Sequence, residues 1–208
     1  MLILIEKIPF HRLGALIDGV FAIVMTILVL DIKVPHDMAV FKSLSLEHFL
    51  TGQFQDIVIY MVVFMVLAYL WIINHSESHF IKFTDYVHLW LTILCLMFVA
   101  LLPFSSALVN KYPQDEIAEL FLAGNVLIIG IFNYISWAYI IKRPALLEST
   151  LTEKQTATEK KKLLIMPLVA VMAMAVALIY PLGSSYTLLL APVAMFFMEL
   201  RWGARNKR

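Results

Sequence analysis

Apolar residues fall in six runs along this chain, 13–34, 54–75, 85–108, 117–141, 163–182 and 185–202. Each is close to the roughly 20 residues that an α-helix needs to cross a hydrocarbon core of about 30 Å. What remains outside these runs is an eleven-residue head, short connections and a basic tail. The pattern predicts an all-α integral membrane protein in which residues 1–208 form a single six-helix transmembrane domain, with no room for a separate soluble domain. The connection "PHDMAVFKSLSLEHFLTGQ" (35–53) is mixed and predicts a short amphipathic helix at the outer surface, whereas "NKYPQDEIAE" (110–119) reads as an acidic outer turn. "KRPALLESTLTEKQTATEKKK" (142–162) reads as a helix-prone, solvated inner loop. The first and fourth runs share no motif, which disfavours a two-fold repeated transporter.

Composition agrees with this class. The chain is 62% hydrophobic and 15% charged, against about 45–50% and 25% in soluble domains. The first run lacks an early small-residue cleavage site, so it is expected to stay in the mature protein. The single cysteine, Cys95, excludes an intrachain disulfide. Of 16 Lys and Arg residues, 13 fall in the head, the second and fourth connections and the tail; only Lys33, Lys42 and Lys111 lie on the other side. Cytoplasmic loops are enriched in these residues, so the chain is expected in the cell membrane as a multi-pass protein with both termini cytoplasmic. A net charge of +1 gives no reason to expect a nucleic-acid partner.

Against this apolar background two charges stand out in "RLGALIDGVFAIVMTILVLDIKVP" (12–35): Arg12 and Asp18. A charge at mid-bilayer costs about 2.5–3.5 kcal/mol on insertion scales and less near a helix end, so both need partners. At about 100° per residue they lie about 120° apart around the helix and do not form a simple pair. By depth, the nearest candidates are Trp71, Asn74 and His75 in the second run and Thr92 in the third. His75, Glu77 and His79 hint at a metal, since histidines at i and i+4 can share an ion, but no third ligand of suitable spacing follows and no metal is expected. Nucleophile and zinc-hydrolase motifs are missing, and "GSSY" (183–186) sits in a short turn without a positioned base, so the chain is not expected to be an enzyme. Ile23, Ile27 and Leu30 share one face within about 60°, with Thr26 adjoining. Such a stripe is ordinarily lipid-facing or core, and the Thr26 hydroxyl can bond back to the Ala22 carbonyl.

These residues carry a resemblance. "RLGALIDGVFAIVMTILVLDIKVP" resembles the first-helix signature of the transmembrane protein 175 family of potassium channels, in which Arg-x-x-x-Phe-Ser-Asp opens a helix continuing Gly-Val-Phe-Ala-Ile. "YLWIINHSESH" (69–79) is similar to the family's Trp-x-x-x-His end of helix two, and "LWLTILCLMFVALLPFSSAL" (89–108) to its third helix ending in Leu-Pro-Phe. The match spans residues 12–108 and is topological beyond. It implies six transmembrane helices per chain and a homotetramer whose central pore is lined by helix one. It also implies a structural polar network of Arg12, Asp18, Trp71, His75 and Thr92, and a hydrophobic gate at Ile23, Ile27 and Leu30. Leu16 and Ile17 depart from the family's Phe and Ser, and Thr92 from a frequent Asn.

The function implied is a potassium-preferring cation channel with potassium ions as permeant species, no cofactor, and itself, lipid and monovalent cations as partners. No Thr-Val-Gly-Tyr-Gly segment exists to supply a ring of carbonyls, so selectivity is expected to come from pore width and a Thr26 hydroxyl ring. A proton-conducting channel on the same scaffold is the alternative, since Asp18 and His75 could titrate. A secondary transporter is a third reading; its broken, polar mid-depth helices find a counterpart mainly in Pro192.

Overall fold

The computed structural model describes residues 7–32, 46–148 and 151–206, which form nine α-helices and one short two-stranded ladder among the described residues. Helix α1 spans Phe10–Ile27 and tightens into a 3₁₀ turn over Leu28–Asp31. A short α2 (Leu46–Gly52) leads into α3 (Phe54–Ser78). Helix α4 (Tyr86–Ala100) starts where the Asp85 carboxylate accepts the His88 N–H at 3.0 Å, a side-chain cap. It gives way at Leu101 to α5 (Leu102–Lys111). Pro103 sits in the first turn of α5, where its missing N–H is tolerated. Helix α6 (Glu116–Ile140) is capped by Asp115, and α7 (Glu153–Ala177) by a capping box between Thr152 and Gln155. Helices α8 (Pro181–Thr187) and α9 (Leu190–Asn206) complete the chain.

Among the described residues, five helical segments are long and apolar enough to cross a membrane: Phe10–Asp31, Phe54–Ser78, Tyr86–Lys111, Glu116–Ile140 and Pro181–Leu200. They coincide with five of the six predicted runs. The remaining run, 163–182, falls on α7 but is placed differently: the helix begins ten residues earlier and ends at Ala177. The Thr152 capping box starts the helix upstream of the lysines, so the segment read as a solvated loop is helical from Glu153 onward. Of the predicted outer helix at 35–53, residues 46–52 are helical, while 33–45, with Lys33 and Lys42, lie outside the described residues, as do residues 1–6 of the head.

At the end bearing Arg12, Lys82 and Arg143, three connections are tied together. Strand β1 (Ile8–Pro9) pairs antiparallel with β2 (Phe83–Thr84), and Phe10 N–H donates to the Lys82 carbonyl at 3.1 Å. Lys82 and Glu148 N–H groups donate to Leu146 and Phe80 carbonyls, each at 2.9 Å, bringing in the 3₁₀ turn Pro144–Leu146. Buried Asp85 accepts the Tyr139 hydroxyl at 2.7 Å and pairs with Arg143 at 3.3 Å. Lys162 bridges Glu159 and Glu199 at 3.2 and 2.8 Å, joining α7 to α9. Burial works against its charge, but the bonds and charges of the two glutamates outweigh that and hold the Lys162 pKa above the ordinary lysine value.

Within the bundle, small residues let helix backbones approach, as is usual between membrane helices. On α7 the stripe Ala170, Ala173 and Ala177 is fully buried. The tightest approach is at Gly130 of α6, where an added Cβ would lie 2.9 Å from both Cδ and Cγ of Pro167. Only glycine fits against that rigid ring.

Candidate ion pathway

Helix α1 carries two apolar faces with different fates. Phe10, Leu13, Ile17, Phe21 and Val24, continued by Leu28, recur every three or four residues and are buried against the rest of the chain. Helices α3 and α4 supply much of that packing. On the other side Ile23, Ile27 and Leu30 are 59%, 44% and 70% exposed, so no part of the described chain covers them. Val29 is also exposed, whereas Val20 packs partly against the core. Thr26 shares the open side, and its hydroxyl donates to the carbonyls of Ala22 and Ile23 at 3.0 and 2.8 Å. The hydroxyl proton is thus used locally, leaving the oxygen's lone pairs as what Thr26 can offer outward.

The polar residues singled out from the sequence are partly brought together. Trp71 on α3 donates its indole N–H to an Asp18 carboxylate oxygen at 2.9 Å, binding the edge of α1's open side to its neighbour. Trp71 in turn stacks on His75, with centroids 5.4 Å apart, and His75 meets His79 edge-on at 5.0 Å. Arg12 lies on the open side of α1 with no hydrogen bond or ion pair among the described residues. Thr92 stands apart from this chain of contacts: it is buried, and its hydroxyl donates back to the His88 carbonyl at 2.9 Å. Of the two departures from the family signature, Leu16 is 46% exposed, while Ile17 is buried where the family's serine hydroxyl would be. Asn74 also turns inward on its own helix, donating to the Leu70 carbonyl at 2.9 Å.

Glu77 does not join the histidines. Two residues along a helix turn the side chain about 200° away, so while His75 and His79 meet, Glu77 points into the bundle and is buried. Among the described residues, no three His, Cys, Asp or Glu side chains converge as metal ligands. Two features escaped the sequence reading: the Asp85, Tyr139 and Arg143 junction, and the inward position of Glu77. The first had a signal, an Asp directly before an apolar helix being a common cap. The second requires knowing which face of α3 is packed.

A helical bundle with five membrane-length helices and an apolar first helix left open along one side defines an integral membrane protein. A family model described as endosomal/lysosomal potassium channel TMEM175 matches residues 12–103. A potassium channel of Streptomyces collinus is 35% identical over 108 residues, which is 52% of this chain and 51% of that protein. One of Chamaesiphon minutus is 33% identical over 132 residues, 62% of this chain and 64% of that protein. These matches thus span about half to under two thirds of the curated relatives' length. The crystal structure of a lysosomal potassium-selective channel TMEM175 homologue from Chamaesiphon minutus superposes with a TM-score of 0.74 at 25% identity, covering 92% of this chain and 96% of that one. Residues 12–103 are thus similar to the TMEM175 family, and the fold of nearly the whole chain matches that of a solved homologue of it.

Proposed function

We propose that this protein is a potassium-preferring cation channel of the cell membrane, with six spans, both termini cytoplasmic, and four copies of α1 around a central pathway. The observation that carries this reading is the open apolar face of α1, Ile23, Ile27 and Leu30, which the rest of the described chain leaves uncovered. Set around an axis, these side chains make successive apolar rings that exclude hydrated ions by dewetting, so closure needs no charged gate. Thr26, within the same stretch, offers hydroxyl oxygens to a dehydrating cation and supplies what selectivity exists. Asp18, Trp71 and His75 register α1 against α3, and exposed Arg12 finds its partner on another subunit. The potassium-channel names of the relatives support this choice of ion.

The test is a recording from the purified protein in a planar bilayer with potassium on one side, sodium on the other and, separately, a pH difference. Unitary currents reversing toward the potassium equilibrium potential are expected. Reversal that follows only the proton gradient would replace this reading with proton conduction, and solute flux without unitary current would replace it with a transporter.

A further inference from the structure

A small cavity lies on the packed side of α1, opposite the proposed pathway. Its walls include Ile17 and Phe21 of α1, Glu77 of α3, Thr92 and Cys95 of α4, and Asn133 of α6. At about 20 Å³ it has room for one water, which needs about 10–15 Å³ and two to four polar partners. Glu77 is 8% exposed, and its Oε1 is fully buried without a hydrogen-bond partner among the described residues. Ser136 and Asn74 also line the space, Asn74 donating to the Leu70 carbonyl, and three further neighbouring polar groups have partners of their own. Cys95 donates to the Asn133 side-chain oxygen at 3.3 Å, Thr92 donates to the His88 carbonyl, and His88 shares a 2.7 Å bond with the Thr84 hydroxyl while stacking on Phe10.

No lysine or arginine lines this space. The titratable groups facing Glu77 are Cys95 and His88 from α4 and Glu159 from α7, the last a like charge already committed to Lys162. A carboxylate buried without a cation or a full set of donors is costly, and such a group neutralises instead. We propose that Glu77 binds a proton in this cavity and, as a neutral carboxylic acid, shares it with one water. The site is separate from His75, which points to the other side of α3, and from Asp18, whose carboxylate accepts from Trp71. Its position against Ile17 and Phe21 gives it leverage on α1: releasing the proton sets a charge against the apolar seat of that helix.

Infrared spectroscopy of the full-length protein in liposomes tests this directly, because a protonated carboxyl has a carbonyl stretch resolved from the amide bands. A carboxylic-acid band is expected at neutral pH that shifts in heavy water, disappears in Glu77→Gln and persists in Glu119→Gln, a second buried glutamate, which accepts from the Ser185 hydroxyl. The near-isosteric glutamine keeps the fold, and the second readout is thermal unfolding. A buried neutral acid loses its advantage as pH rises, since the unfolded glutamate ionises freely. The wild type should therefore lose thermal stability on going from neutral to alkaline pH by more than Glu77→Gln does. A spectrum unchanged by Glu77→Gln, with equal pH slopes, would overturn the proposal. So would a stabilisation by sodium in the wild type that the variant lacks, which would make the cavity a metal-cation site.

Discussion

Helices α1 and α6 are both membrane-length, yet they are used in opposite ways. In α1, 28% of the most apolar stretch is buried within the chain, against 50% in α6. The buried part of α6 contains Ala123, Asn125, Gly130 and Asn133, small or polar residues, whereas α1 leaves Ile23, Ile27 and Leu30 bare. In water the ranking would be reversed. In a bilayer, lipid solvates isoleucine as well as a protein interior does, so apolarity no longer marks the inside; close packing and satisfied polar pairs do. Asn125 donating to Ser105 at 3.0 Å and Cys95 donating to Asn133 are the marks of burial here.

The comparison is broken most severely by attacking α1 where it is packed. Phe21→Ala should cost on the order of 3 kcal/mol through the cavity it leaves, read as a lower unfolding midpoint in detergent. Ile27→Ala on the open face of the same helix should change the isolated chain's midpoint far less. Equal losses would mean that both faces are packed alike. Next comes Gly130→Ala in α6: the new methyl meets the Pro167 ring and forces the backbones apart, costing about 1–3 kcal/mol. A neutral result in the same melts would show that α6 and α7 are not held at this separation.

Smaller effects sharpen the boundary between the faces. Trp71→Phe keeps the ring stacked near His75 but removes the donor to Asp18, and a loss of about 0.5–1 kcal/mol is expected at this exposed bond. Size-exclusion profiles should show weakened assembly before any change in ion preference. Thr26→Val should move stability least, by under about 0.5 kcal/mol, since its hydroxyl serves only carbonyls of its own helix. Its readout is the potassium-over-sodium flux ratio, expected to fall; an unchanged ratio would remove Thr26 from the pathway.

Much of this architecture was legible in the chain itself. Lengths of apolar runs located five membrane-length helices within a few residues of their ends, because a bilayer imposes one length on every span. The start of α7 was not legible as a helix boundary: lysines at 160–162 read as solvated loop, while the deciding signal was the capping box at Thr152 and Gln155. The Trp71 bond to Asp18 joins residues 53 apart; membrane depth made Trp71 a candidate and the resemblance put it in one network with Asp18, while spacing along the chain gave nothing. Arg12 belonged with them by that resemblance, yet within one chain it is unpaired among the described residues. Glu77 was read beside His75 and His79 because they adjoin in sequence, although helical geometry sends it to the opposite side.

The central claim is that the open face of α1 forms the constriction, and Ile23→Asn tests it most directly. Asparagine in an apolar ring wets it, whereas the same residue packed against protein is an unsatisfied amide that destabilises the fold. Potassium flux into liposomes, normalised to correctly assembled protein, is therefore measured for Ile23→Asn beside Val20→Asn, whose side chain packs partly on the core. The account predicts raised basal flux for Ile23→Asn and a smaller change for Val20→Asn. Unchanged or reduced flux from well-assembled Ile23→Asn protein would contradict it.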